Sequence, residues 1–208
     1  MTTAQHPSHI TIRPVRADEL DPYMALTLLI DLHLPADELP AVRDLVERTL
    51  RIPGDAFSHV DSNHFLFAEA ADGTPVGAIH VGPPHWMCDL TFPRHTQRAL
   101  ATRVSNIDTI AIHPDHRRQG IATALLTRVE DDYRRAGFRA LTLRHEHGNK
   151  HFFTASGYTS LSRLAMDVPP FGLVSLRAPG WKYAVKLLDP AVTFTNLRGF
   201  MTVSGLLD

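Results

Sequence analysis

Three features of the sequence predict a mixed α/β fold, a central sheet flanked by helices and followed by a carboxy-terminal extension. Segments of strand rhythm take turns with segments of helical period. The turn dipeptide Asp72-Gly73 separates two apolar runs. In the second half of the chain the order strand, helix, strand, short helix, strand is that of a sheet with helices on its faces. With 208 residues and 44% hydrophobic content, the chain can bury one sizeable core. The expected organisation is a domain over residues 1–166 with residues 167–208 packed on it as an extension. No internal repeat or low-complexity segment interrupts it.

Ile10 and Ile12 alternate with polar residues and Pro14 follows, which reads as an edge strand and a turn. Asp21 with Pro22 is a helix start. A second helix follows in "PADELPAVRDLVERTLRI", with Leu45, Val46 and Leu50 as its apolar positions. Phe65 to Ala70 and Val76 to Val81 form a hairpin about Asp72-Gly73. From Pro83 to Leu100 there is no period, so an ordered loop or short irregular helix is expected, whose Trp86, Met87 and Phe92 either wall an acceptor site or pack. "NIDTIAIHP" is a strand of β-branched residues ending at Pro114. After it Ile121, Ala124, Leu125, Val129 and Tyr133 mark a helical face that Gly137 ends. "RALTLRH" is a strand, "NKHFFTASGY" a short helix closed by Gly157, and Tyr158 to Met166 a further strand. Beyond Asp167 only "WKYAVKLL" keeps a clear rhythm.

Composition narrows the function classes. The 21 basic and 22 acidic residues leave a formal charge of -1, which speaks against partnership with nucleic acid or an anionic membrane. A single cysteine, Cys88, rules out an internal disulfide and a cysteine-cluster zinc site. The amino terminus lacks a signal-peptide layout and no apolar run approaches a membrane span, so a soluble cytoplasmic protein is expected. Thirteen histidines raise metal binding, yet the tightest group, His145, His147 and His151 around Glu146, straddles Gly148 and has no fixed geometry. These histidines read as structural or surface residues, with no metal. The apolar stretches "FGLVSL" and "VTFTNLRGFM" could supply a homodimer surface as easily as an intramolecular cover.

The stretch "HRRQGIATALL" carries chemistry. A strand ending at a proline, a loop of donors and a glycine at a helix start together make an anion site. Helix-start N–H groups lack partners, the helix dipole adds partial positive charge, and Gly120 lets a phosphate approach. Arg117, Arg118 and Gln119 add donors. Neither a P-loop nor G-x-G-x-x-G is present, so residues alone point to a diphosphate ligand of open identity.

On these residues the chain resembles the GNAT superfamily of N-acetyltransferases, whose central motif runs Gln or Arg, two residues, Gly, one residue, Gly or Ala. Here that is Arg117-Arg118-Gln119-Gly120-Ile121-Ala122, preceded by "IAIHPDH" and followed by the long helix, "RALTLRH" and "FFTASGY". The resemblance covers Asn106 to Met166 strongly and the earlier elements more weakly. It implies acetyl-coenzyme A as cosubstrate, with the pyrophosphate on the N–H groups of Arg118 to Thr123, including Ile121 and Ala122. The pantetheine arm would pair with Ile110, Ala111 and Ile112. Asn149 and Phe152 match positions that touch the pantetheine or its surroundings; the alternatives are a helix cap for Asn149 and a core role for Phe152.

Acetyl transfer by direct attack needs a neutral amine, a polarised thioester carbonyl and a proton for the departing thiolate. Asp108, two residues before Ile110, matches a position where family members carry a base; otherwise it binds a cationic substrate or pairs with an arginine. Asn106 shares its strand face and could orient water or end the strand. Glu69 in "FAEA" is a second candidate, facing either a site or solvent. Where many relatives have the tyrosine that protonates the thiolate, this chain has Phe153, and Arg144 stands where some use glutamate. Tyr158 is expected to pack inward, leaving water or His145 as the acid. Transfer through Cys88 would need a base that nothing in the sequence supplies. The resemblance therefore implies an N-acetyltransferase acting on a small-molecule or peptide primary amine. Its rivals are a catalytically weak coenzyme A-binding module and a histidine-rich metal-binding protein.

Overall fold

A computed structural model describes residues 10–30, 37–51, 63–84, 86–87 and 90–207. Cys88 lies outside them. The fold is mixed α/β: among the described residues, one large mixed sheet flanked by helices and a smaller sheet formed late in the chain. By compactness the described residues divide into one unit of residues 10–30, 37–51, 63–81 and 109–128 and another of residues 82–84, 86–87, 90–108 and 129–207. No described helix is long and apolar enough to cross a membrane.

In the first unit, β1 (Thr11–Pro14) pairs antiparallel with β2 (His64–Glu69), and β2 with β3 (Pro75–Gly82). The hairpin turn is the expected one: Asp72 accepts the Thr74 N–H at 2.9 Å and Gly73 takes φ +83°. Helices α1 (Leu20–Thr27) and α2 (Leu39–Leu50) supply Leu20, Tyr23, Met24, Leu26 and Val46 to a core shared with Phe65, Phe67 and Ala78. Leu45, expected on the apolar face of α2, is 52% exposed. The buried stripe runs through Val42, Val46 and Leu50, four residues apart, and Leu45 lies off it.

Helix α1 begins at Leu20, ahead of the expected Asp21; Glu19 precedes it without a side-chain cap, and its carboxylate is held in ion pairs. Arg13 donates both terminal nitrogens to Glu19 at 2.6 Å, and the Arg16 backbone N–H donates to it at 2.9 Å. These donors, Arg13 foremost, hold the Glu19 carboxyl below its ordinary value against the opposing effect of burial. A carboxyl lowered on folding contributes stability that is present above its unfolded pKa and lost as pH falls through its folded one. Glu19→Gln is therefore expected to cost roughly 2 kcal/mol at neutral pH, the scale of charge-assisted bonds left half made. The gap from wild type should close on acidification below the ordinary carboxylate range, which urea unfolding at stepped pH would measure.

In the second unit, β4 (Val104–Ile112) contributes its first half, paired in parallel with β5 (Ala140–His145) from Val104↔Ala140 to Ile107↔Leu143. "WKYAVKLL" supplies β9 (Lys182–Leu187), which pairs antiparallel with β5 on one side and with β6 (Thr159–Leu161) on the other. The single strand expected from Tyr158 to Met166 is two. Chain direction changes at Ser162-Arg163, and β7 (Leu164–Val168) joins the smaller sheet with β8 (Gly172–Leu176), β10 (Thr193–Leu197) and β11 (Phe200–Ser204). Arg198 and Gly199, at φ +52° and +82°, make the two-residue turn between β10 and β11.

The aperiodic stretch after Pro83 contains α3 (Arg94–Ala101), a largely polar helix that buries Thr96, Leu100 and Ala101. Its buried positions stand four and five residues apart on one face, but only Leu100 and Ala101 among them are apolar. Met87 is buried in the core with Leu100, Val104, Met166 and Val203, and Trp86 and Phe92 pack against it, so these side chains serve packing. Two glycines close helices as expected. Beyond α4 (Ile121–Arg135), Gly137 takes φ +83° while Phe138 N–H reaches Tyr133 O; beyond α5 (Lys150–Ala155), Gly157 takes φ +82° while Tyr158 N–H reaches Phe153 O.

Candidate active site

The loop between β4 and α4 belongs to the first unit. The His113 N–H donates to Val76 O at 2.9 Å, and Pro114–His116 make one short turn. Arg118 then takes φ +61° and Gly120 φ +80°. A non-glycine residue at positive φ is uncommon and such strain collects at functional loops. The first helical bond runs from Ala124 N–H to Gly120 O at 2.9 Å. Helix geometry thus leaves the N–H groups of Ile121, Ala122 and Thr123 without an intrahelical acceptor. Arg117, Arg118, Gln119 and Gly120 are exposed, while Ile121 is buried as an anchor. The Arg117 Nε–H bonds Ile112 O at 3.2 Å and the Gln119 amide bonds Asp115 O at 3.3 Å, which brace the loop on itself. A Cβ built on Gly120 would meet no atom within 4 Å, so space stands open on its outer side.

Gly77 of β3 is a site residue that sequence reasoning missed. A Cβ there would come within 2.8 Å of Ile112 Cδ1 and 3.2 Å of Ile121 Cγ2. Any larger residue would make the Ile112 side chain shift and crowd Ile121, so β3 lies close against the end of β4 and the first residue of α4. A glycine inside the otherwise apolar run "PVGAIHVG" was the available signal.

Asp108 is exposed and lies one residue beyond the last paired position of β4 and β5. Its Oδ1 accepts from the Asn106 amide nitrogen at 2.6 Å. Asn106 Oδ1 accepts from the Thr142 hydroxyl at 2.8 Å, and Thr142 Oγ1 accepts from the Trp86 indole N–H at 3.4 Å. Asn106 and Asp108 share a face by strand alternation, and Asn106 is the register partner of Thr142. Nearby, burial holds the Tyr133 hydroxyl above its ordinary pKa, and the Asp108 charge adds to the effect.

The other acid-base candidates are more buried than Asp108. Glu69 pairs with Arg13, which also holds Glu19, and both carboxylates are largely buried. His145 is 2% exposed. Its Nδ1 lies 2.6 Å from Glu146 O and its Nε2 3.0 Å from Ser160 Oγ. A carbonyl only accepts, so Nδ1 carries a proton and donates to Glu146 O. Phe153 is buried against His145, Phe152 and Tyr158. Tyr158 packs inward at 2% exposure, with burial and then the neighbouring Glu130 raising its hydroxyl pKa. Arg144 and Asn149 are exposed and Phe152 is half-buried; Asn149 precedes α5 without capping it. The structure brings Asp108 and Asn106 together. It places Glu69 and the loop from Ile110 to Thr123 in the first unit, and His145, Asn149 and Phe152 in the second.

A family model described as the acetyltransferase (GNAT) family matches residues 29–158. No curated protein matches the sequence. Among solved structures, one of the GNAT family from Desulfovibrio desulfuricans has a TM-score of 0.59 at 18% identity, over 86% of this chain and 99% of its own. A GNAT acetyltransferase from Staphylococcus aureus Mu50 has 0.59 at 13%, over 86% and 99%. A SpeG spermidine N-acetyltransferase variant from Vibrio cholerae has 0.56 at 14%, over 87% and 95%. At these identities the likeness is one of fold.

Proposed function

The chain belongs to the GNAT acetyltransferase family, and from that membership we propose that it is an N-acetyltransferase moving an acetyl group from acetyl-coenzyme A to a primary amine by direct attack. The observation that carries this reading is the loop from Arg117 to Thr123. Its exposed donors, two positive-φ residues and helix-start N–H groups fit a pyrophosphate. In this reading Ile110 to Ile112 offer backbone groups to the pantetheine, and Asn149 and Phe152 contact its surroundings. Two residues before Ile110, Asp108 takes the proton from the attacking amine, directly or through one water. Its exposure suits that role, while Glu69 is largely buried against Arg13 and His145 is buried. The new bond joins the amine nitrogen to the acetyl carbon. The carbon–sulfur bond breaks, and the thiolate takes its proton from water, since Phe153 has none to give.

The acceptor is a small-molecule or peptide amine. Polyamines are the first class to try, because solved neighbours from Vibrio cholerae are described as spermidine N-acetyltransferases. Self-association fits the same reading, one such neighbour being described as dodecameric, and Phe171 and Met201 stand exposed here. The one cysteine accords with the cytoplasm as the compartment. Phe153 favours one rival, a module that binds coenzyme A without turnover. Amine-dependent release of coenzyme A, measured over a panel of spermidine, a small monoamine and a peptide with a free amino terminus, decides between them. Release with one of these amines is expected; binding of acetyl-coenzyme A without release from any would overturn the transferase reading.

A further inference from the structure

We propose that Arg144 selects the acceptor, favouring an amine that carries its own carboxylate, such as a free amino acid, over a polyamine. The inference deepens the transferase reading and rests on Asp108 marking where the amine reacts. Strands β4 and β5 pair in parallel through Asn106↔Thr142 and Ile107↔Leu143, and Asp108 and Arg144 are the next residues along, opposite one another where the pairing ends. β5 keeps strand geometry there, because Arg144 pairs with Tyr183 and His145 with Lys182 of β9. Strand alternation then puts Arg144 on the face of Thr142. Asn106 and Asp108 share that face, since Thr142 bonds Asn106 and Asn106 bonds Asp108.

Arg144 is exposed, and among the described residues no hydrogen bond or ion pair engages its guanidinium. Just before the other end of the strand, Arg139 is held by Asp189 and by the Gly205 carbonyl. Arg144 therefore keeps its N–H donors for a ligand. A guanidinium takes a carboxylate in a two-pronged bond and repels an ammonium. An amino acid has its carboxylate one carbon away from the reacting nitrogen, so a single acceptor can set its nitrogen beside Asp108 and its carboxylate against Arg144. A polyamine would bring further ammonium groups to the same cation. Because Arg144 is exposed, water screens its charge and the discrimination is about tenfold, not a thousandfold.

The test compares wild type with Arg144→Gln, Arg144→Lys and Arg144→Glu. The acceptors are leucine and phenylalanine, each as the free amino acid and as its carboxamide, together with spermidine. The readout is kcat/KM for amine-dependent coenzyme A release. Comparing one acid-to-carboxamide ratio between wild type and variant cancels the different basicity of the two amines. Thermal melting and acetyl-coenzyme A titration report folding and cofactor binding, and neither should change. Arg144→Gln is expected to lower kcat/KM about tenfold for the free acids and to leave the carboxamides within about twofold. Arg144→Lys keeps the charge without the two-pronged geometry and should fall between. Arg144→Glu should raise kcat/KM for spermidine about fivefold. If amines are acetylated but the acid-to-carboxamide ratio is unchanged in Arg144→Gln, or spermidine exceeds both free acids in the wild type, the inference is overturned and the transferase stands. If acetyl-coenzyme A binds and no amine releases coenzyme A, the transferase reading falls and this inference with it. Should Arg144→Glu fail to fold, Arg144→Gln and Arg144→Lys decide between the same outcomes.

Discussion

Gly120→Asp is expected to weaken acetyl-coenzyme A binding at least 100-fold, about 2.7 kcal/mol, in calorimetric titration. The side chain itself meets no protein atom, since a Cβ at this position has nothing within 4 Å. Aspartate also tolerates φ +80° better than most residues, so the fold should survive. What changes is charge: a carboxylate would stand beside N–H groups that would otherwise face the pyrophosphate, repelling the ligand and competing for its donors. Gly120→Asn separates the two contributions, having nearly the same shape and backbone tolerance without the charge. It should bind at least tenfold more tightly than the aspartate variant, with the difference narrowing at high salt. Equal binding by wild type and Gly120→Asp would move the ligand away from this loop.

Asp108→Asn should lower kcat by about 100-fold or more, within the range for removal of a general base, and leave acetyl-coenzyme A affinity unchanged. The substitution keeps shape: an asparagine oxygen can still accept from Asn106, so alignment survives while proton acceptance does not. The alternative role, holding a cationic acceptor, has a different signature. It raises KM for the amine while kcat is retained, because uniform binding is lost without loss of transition-state stabilisation. Steady-state kinetics over the amine concentration therefore distinguishes base from binding residue in one titration.

Elements with local signals were legible in the sequence. Asp72-Gly73 marked the hairpin, Gly137 and Gly157 marked helix ends, and Gly120 after a β-branched strand marked the loop into α4. What escaped was set by pairing between distant residues. Nothing near Tyr183 announces that its strand runs between β5 and β6, and nothing near Glu69 announces Arg13 of another strand. Polar α3 has only two apolar residues, Leu100 and Ala101, among its buried positions. In the candidate site, Asp108 and Asn106 were legible because they share one strand two residues apart. Thr142 was not, because it reaches Asn106 only through the register of β4 and β5. Gly77 was hidden for the same reason, its constraint coming from Ile112 and Ile121.

The place of β9 has a consequence for how the protein is made. Synthesis runs from the amino terminus, and β5 and β6 emerge before the strand that hydrogen-bonds to both. Until residues 182–187 arrive, the nascent chain carries "ALTLRH" with one edge unpaired, an open template for another chain. Pauses or truncations between Tyr158 and Lys182 would therefore expose a sticky strand, and that interval is where a holding chaperone would matter most to the yield of folded protein.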